Sequence, residues 1–282
     1  MTLRRRDFLW PTVFVCSVLL VLPQATFIWM SLHADLGLGQ FAETITLANY
    51  VSLATDPFYL RSIGLTVGLS AATVAAGLAL GFPTAYVLAR VGGWIATVLI
   101  SLILTTSLIA IVVKVMGLDI LLSATGLVNR LLLATAAVAT PVPFIGNELG
   151  VLIGLINYTL PIIIVILFAV VQTIPASLEE AAEIHGASRF AVYRLVVLPL
   201  ARPGLLAGGL TAFNMSMGAF TSAVLLGGGR VRTVPVLIQQ TIIQNSEFGR
   251  GAALATLLLV LVFGLNVAAA LALSGRPREA AR

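Results

Sequence analysis

Charge is what this sequence has least of. Only 10% of its 282 residues are Asp, Glu, Lys or Arg, whereas a soluble domain carries about 25%. With 59% hydrophobic residues and a mean hydropathy of +1.07, that deficit excludes a soluble globular domain. It points to a chain that crosses a membrane several times. Lysine is nearly absent: Lys114 stands alone among sixteen basic residues, the rest being arginine. A net charge of +5 in such a chain reports membrane topology, so no nucleic-acid partner is expected. Cysteine occurs once, at Cys16 in an apolar run, which excludes a disulfide framework. Histidine occurs twice, at His33 and His185. The two fall on opposite sides of the membrane in the topology below, so neither a catalytic pair nor a metal site is expected. His33 reads as a loop residue.

Catalytic and cofactor motifs are missing as well. The sequence has no G-x-x-x-x-G-K-[ST], no H-E-x-x-H, no C-x-x-C and no G-x-S-x-G. The chain is therefore not expected to be an enzyme or to hold a cofactor. Arg4, Arg5 and Arg6 precede an apolar run as in a signal peptide, but residues 8–32 are too long for one and no cleavage site follows. The run reads as an uncleaved first span.

Six spans are predicted, at about residues 8–32, 63–89, 94–115, 150–171, 205–226 and 252–273, giving an all-α membrane protein. An interfacial helix near Gly126–Asn129 and a break at Pro141 and Pro143 are expected between the third and fourth. Placing both termini in the cytoplasm puts ten basic residues inside and Arg61, Lys114, Arg130, Arg230, Arg232 and Arg250 outside. No ionisable residue lies deep in a span; Lys114 and Glu148 sit near outer ends. Ion-coupled carriers, which with channels lacking an ATPase partner form the competing class, usually place Asp, Glu or His at that depth, and the absence of such residues argues against a carrier of this kind.

The one long polar interruption of the C-terminal half is 175–203, PASLEEAAEIHGASRFAVYRLVVLPLARP. Its glutamates 179, 180 and 183 and arginines 189, 194 and 202 require water. Ser177 followed by Glu180 reads as a capping box opening a short helix. Gly186 stands where a left-handed C-terminal residue is wanted. Ser188 reads as the cap of a second helix, ending at Pro199 with Phe190, Tyr193 and Val197 on one face.

Within it, Glu180, Ala181 and Ala182 are followed after three residues by Gly186. Nine residues further come Val196, one residue, Leu198 and Pro199. This spacing resembles the EAA loop of the permease subunits of type I ATP-binding-cassette importers. FPTAYVLAR at 82–90 resembles the start of that family's core. LEEAAEIHGAS, LPLARPG and NMSMGAFTSAVLLGGG are most similar to its spermidine/putrescine branch, which also includes permeases for other solutes.

The resemblance implies a permease core over 60–273, preceded by an N-terminal helix and external segment over 1–59 and followed by a cytoplasmic tail over 274–282. It implies that Glu180, Ala181, Ala182, Gly186, Leu198 and Pro199 couple to a cytoplasmic pair of ATP-binding subunits, where ATP is consumed. A second permease subunit, identical or a sister, an external substrate-binding protein and a bacterial inner membrane with its lipids complete the expected setting. For the solute pathway the polar residues of the fifth span stand out, Asn214, Ser216 and Thr221, with Asn157 and Tyr158 of the fourth. Small residues in a membrane span also serve tight helix packing, and the sequence leaves both readings of the fifth span open.

Overall fold

The computed structural model describes residues 5–37, 40–136 and 138–274. Arg4 and residues 275–282 of the expected tail lie outside them. In chain order the elements are α1 (Arg5–Ser31), β1 (His33–Gly37), β2 (Gln40–Ile45), α2 (Ala48–Thr55), α3 (Pro57–Val91), α4 (Gly93–Leu108), α5 (Ile111–Leu122), α6 (Leu127–Ala134) and α7 (Glu148–Gln172). There follow α8 (Ala176–Ile184), α9 (Arg189–Val192), a π-helical turn (Tyr193–Val197), α10 (Leu198–Leu200), α11 (Arg202–Met217), α12 (Thr221–Leu225), α13 (Val234–Gln239), a second π turn (Gln240–Gln244) and α14 (Phe248–Ser274).

Among the described residues, five helical stretches are long and apolar enough to cross a membrane: Val13–Ser31, Pro57–Val91, Ile111–Ala134, Glu148–Gln172 and Phe248–Leu271. A sixth results if Arg189–Leu200 and Arg202–Met217, bent by 69°, form one broken span. The architecture is thus the helical membrane fold expected, with five or six crossings.

The chain divides into two compact units, residues 64–233 and the remainder. In the 64–233 unit, α7 is the central helix, with α4, α5, α11 and α12 packed against it. Its core includes Phe82, Ile163, Leu167, Val171, Val197 and Ala212. Small residues set the spacing. A Cβ on Gly81 would lie 2.8 Å from Ile163 Cγ2, and one on Gly204 would lie 2.8 Å from Val170 Cβ. Such glycines let helix backbones approach closely in a membrane. Asn129, at the start of α6, is buried; its amide donates to the Ser123 and Val142 carbonyls, both at 3.0 Å, and accepts from the Val142 N–H at 2.8 Å. This ties the proline-broken 138–147 connection to the helix before it.

Two predicted spans are interrupted. The third is not one helix over 94–115: α4 stops at Leu108, Ile109 and Ala110 are extended (ψ 131° and 132°), and α5 starts afresh at Ile111. Just before the break, Thr105, Thr106 and Ser107 turn their hydroxyls onto the carbonyls of Ser101, Leu102 and Ile103. Such back-bonding competes with the helix ladder and bends it. Lys114 consequently sits in the first turn of α5, at the start of the Ile111–Ala134 stretch rather than at the end of the third predicted span. The fifth span, expected over 205–226, ends at Met217 with Gly218 at the C-cap and resumes only as α12. Glycine and the aromatic and β-branched residues that follow are weak helix formers.

The other unit joins the two ends of the chain, with α1 alongside α14. The hydrophilic 33–60 segment forms an antiparallel hairpin, β1 with β2, and then α2. Asp35 accepts from the Gly249 N–H (2.8 Å) and the Arg250 N–H (2.9 Å), placing a carboxylate at the N-terminus of α14, where the helix dipole favours negative charge. His33 is not a free loop residue. It is buried in β1, its Nδ1 lies 2.7 Å from the Trp29 carbonyl, and its ring rests on that of Trp29.

Candidate functional site

The 175–203 segment forms two arms separated by a turn, and the turn follows from its sequence. Gly186 has φ +85°, in the left-handed region. Its N–H donates to the Glu183 carbonyl (2.9 Å), and that of Ala187 donates to the Ala182 carbonyl (3.0 Å). This pair of bonds is the Schellman motif, which satisfies the last carbonyls of a helix. Ser188 then caps α9, its hydroxyl accepting from the Ala191 N–H at 3.3 Å. The expected capping box does not form. Pro175 occupies the N-cap of α8 and no side chain caps it. Pro175, with its fixed φ, is set in the extended conformation an N-cap adopts, which places Ser177 inside the first turn.

Nor does Pro199 end the second helix. Proline lacks an N–H, so the carbonyl of Leu195 loses its usual partner. The π turn Tyr193–Val197 shifts the hydrogen bonding by one residue, and helical geometry continues through Leu200. The sharp bend falls at Ala201, between Pro199 and Pro203. The π turn alters the angular register before Val197, so Phe190 does not share a face with that residue. Val197 is buried, while Phe190 is 68% exposed.

Not all the glutamates face water. Glu179 is 9% exposed. One of its carboxylate oxygens accepts from Arg90 Nε at 2.7 Å and pairs with the Arg90 Nη2 group. The other accepts from the Tyr86 hydroxyl at 2.8 Å. Arg90 Nη2 also donates to the Ile174 carbonyl, 3.1 Å away, at the junction of α7 and α8. The pair is largely sheltered, with side-chain exposures of 23% for Arg90 and 12% for Glu179, so removing one member leaves the other charge uncompensated in a partly dry site. Tyr193 in the π turn packs on Phe82 and Tyr86, with ring centroids 5.2 and 5.3 Å apart. Both arms are therefore fastened to one stretch of α3, Phe82 to Arg90. Sequence reading singled out FPTAYVLAR but not this role: Arg90 and Glu179 stand 89 positions apart, beyond any local pattern.

The remaining face is open. Glu180, Ala181 and Gly186 are exposed; Ala182, Leu198 and Pro199 are half-buried. Ile184 is 83% and Leu195 71% exposed. With Phe190 they give the segment a solvent-facing apolar surface next to Glu180, Glu183 and Arg189.

The pathway candidates lie elsewhere in the same unit. Asn157, on α7, lines a cavity of about 200 Å³ with Ile103, Thr106, Leu160, Pro161 and Ile164. Tyr158, the next residue, carries Lys114 over its ring, Nζ 5.9 Å from the centroid, within cation–π range. Asn214 and Ser216 are on α11, and Thr221 opens α12. Asn214 and Thr221 are half-buried; Ser216 and, after the break, Ser222 are buried, and among the described residues their hydroxyls have no hydrogen-bond partner. A Cβ on Gly154 of α7 would meet Leu226 Cδ1 at 2.6 Å and then the Ser222 side chain at 3.1 Å. Among the described residues no group of His, Cys, Asp and Glu could hold a metal ion.

Residues 77–276 match the family model "Binding-protein-dependent transport system inner membrane component". The chain is 27% identical over 255 residues to the spermidine/putrescine transport system permease protein PotB of Haemophilus influenzae, covering 90% of this chain and 87% of that one. It is 29% identical over 220 residues to PotB of Escherichia coli, covering 78% and 79%. Its fold matches a chain in the crystal structure of a bacterial alginate ABC transporter in complex with an alginate pentasaccharide-bound periplasmic protein, with a TM-score of 0.76, 19% identity, and coverage of 94% and 91%. The chain belongs to the family of binding-protein-dependent transport system inner membrane components: it is an inner-membrane permease subunit of an ATP-binding-cassette importer, working with an ATPase and a substrate-binding protein.

Proposed function

We propose that this permease forms half of a solute pathway, completed by a second permease subunit, and that a pair of cytoplasmic ATPases seats on the exposed face of the 175–203 segment. The observation that carries this reading is the division of labour among neighbouring glutamates. Glu179 is turned inward and fully engaged, whereas Glu180 of the E-A-A pattern points to solvent beside Ile184. An exposed carboxylate flanked by apolar side chains is what a partner groove with a basic residue would take. Both termini and this segment are then cytoplasmic, and Arg232 is external. Asn157, Tyr158, Asn214, Ser216 and Thr221 are the residues proposed to face the solute.

The solute we propose is of polyamine type, on the strength of the two PotB relatives. Among the described residues lining the cavity at Asn157 there is no carboxylate to hold a cation, which fits selection by the external binding protein rather than by the membrane pathway.

The purified chain should show no ATP turnover, since it lacks a phosphate-binding loop. Turnover should appear when the ATPase subunit of the same importer is added, together with the second permease. A steady-state hydrolysis assay in detergent or nanodiscs reads this directly. ATP hydrolysis by the chain alone would overturn the proposal that a partner supplies the energy.

A further inference from the structure

We infer that Tyr86, Arg90 and Glu179 are the link by which movement of the 175–203 segment is passed to α3, separate from the surface that meets the ATPase. The inference rests on the docking role proposed above and adds the step that follows it. A force applied to the exposed face of α8 must leave through the contacts that α8 makes with the rest of the unit. The polar part of that attachment is Glu179. Its two oxygens take three donors from α3: Arg90 Nε, Arg90 Nη2 and the Tyr86 hydroxyl. Two guanidinium nitrogens converge on one carboxylate oxygen while the Tyr86 hydroxyl holds the other, so the contact fixes direction as well as distance and resists sliding and rotation. The second arm reaches the same stretch through the rings of Tyr193, Phe82 and Tyr86. Arg90 also holds the Ile174 carbonyl, so the junction of α7 and α8 is tied to the end of α3. Further along α3, Gly77 and Gly81 place its backbone directly against Ile163 of α7. Close-packed helices transmit displacement, because interiors are dense and bistable rather than soft. The order of transmission is then the α8 surface, Glu179, the end of α3, and the α3–α7 contact.

The test uses the assembled importer in proteoliposomes with a reporter on α3. Val87 is exposed and lies one turn before Arg90, and Cys16 is the chain's sole cysteine. A spin label at Val87→Cys in a Cys16→Ser background reports the change between nucleotide-free and ATP–vanadate-trapped states. In the parent the label should respond to trapping. Glu179→Gln, which keeps the hydrogen-bonding shape and removes the charge, should retain the ATPase on co-purification while the label's response falls about fivefold or more, the scale of a site-to-site coupling. Tyr86→Phe removes one hydrogen bond and keeps the ring against Tyr193. It should reduce the response by a smaller factor, and it carries the test if Glu179→Gln does not accumulate in the membrane.

A full label response in Glu179→Gln, or in Tyr86→Phe where that variant carries the test, would overturn the link. Loss of the ATPase from Glu179→Gln while the parent retains it would place Glu179 in the docking surface and overturn it too. Failure of the parent itself to retain the ATPase would instead refute the docking reading on which the link rests.

Discussion

Gly186→Val should abolish solute uptake while leaving the chain in the membrane. The reason is backbone conformation, not space. Gly186 has φ +85°, and nothing lies within 4 Å of where its Cβ would be. A β-branched residue is a genuine outlier in that region, and the left-handed conformation costs an ordinary L-residue roughly 1–2 kcal/mol. The strain is relieved by opening the Schellman turn, which frees the Glu183 and Ala182 carbonyls and changes the angle between α8 and α9. The docking face is then dismantled although no contact residue has changed. Gly186→Asn is the control, since asparagine tolerates the left-handed region. Uptake should be lost in the valine variant and largely retained in the asparagine variant. Equal loss in both would mean that the glycine is required for close approach of the partner rather than for its φ.

Glu180→Gln should weaken association with the ATPase without altering the fold. Among the described residues the Glu180 carboxylate has no hydrogen-bond or ion-pair partner, so the chain itself gives no reason for a charge there. A hydrogen bond to a charged group contributes about 1.5–3 kcal/mol, which corresponds to about 10- to 100-fold in affinity. Ser177→Ala should be nearly neutral, because Pro175 and not Ser177 holds the N-cap. Titration of the ATPase onto immobilised permease measures both. Unchanged binding by Glu180→Gln would remove the charge-pairing role and leave docking to the apolar residues Ile184, Phe190 and Leu195.

The sequence made some of this site legible and hid the rest for identifiable reasons. Gly186 and Ser188 act through neighbours one to five positions away, so their turn and cap could be read from spacing. Ser177 misled because Pro175, two residues earlier, competes for the same cap. Glu179 could not be told from Glu180 by pattern: burial of the first depends on Tyr86 and Arg90, residues of a helix far away in sequence. Long spans such as α3, α7 and α14 announce themselves through apolar length. The breaks at Ile109–Ala110 and Gly218 do not, since neither a charge nor a proline marks them, and hydropathy is blind to the back-bonded hydroxyls of Thr105, Thr106 and Ser107. The β1–β2 hairpin was missed because short, irregularly paired strands leave little alternation to detect.

The central claim is that the outward face of α8 meets an ATPase in the cytoplasm. Ile184, at the end of α8, is the position to interrogate, being the most exposed large apolar residue of the segment. Ile184→Cys in a Cys16→Ser background, carried in right-side-out and inverted membrane vesicles, should react with a membrane-impermeant maleimide only in the inverted ones. A short photoactivatable thiol cross-linker at the same position should join the permease to the ATPase subunit. Labelling from the outer face, with no cross-link to the ATPase, would contradict the account.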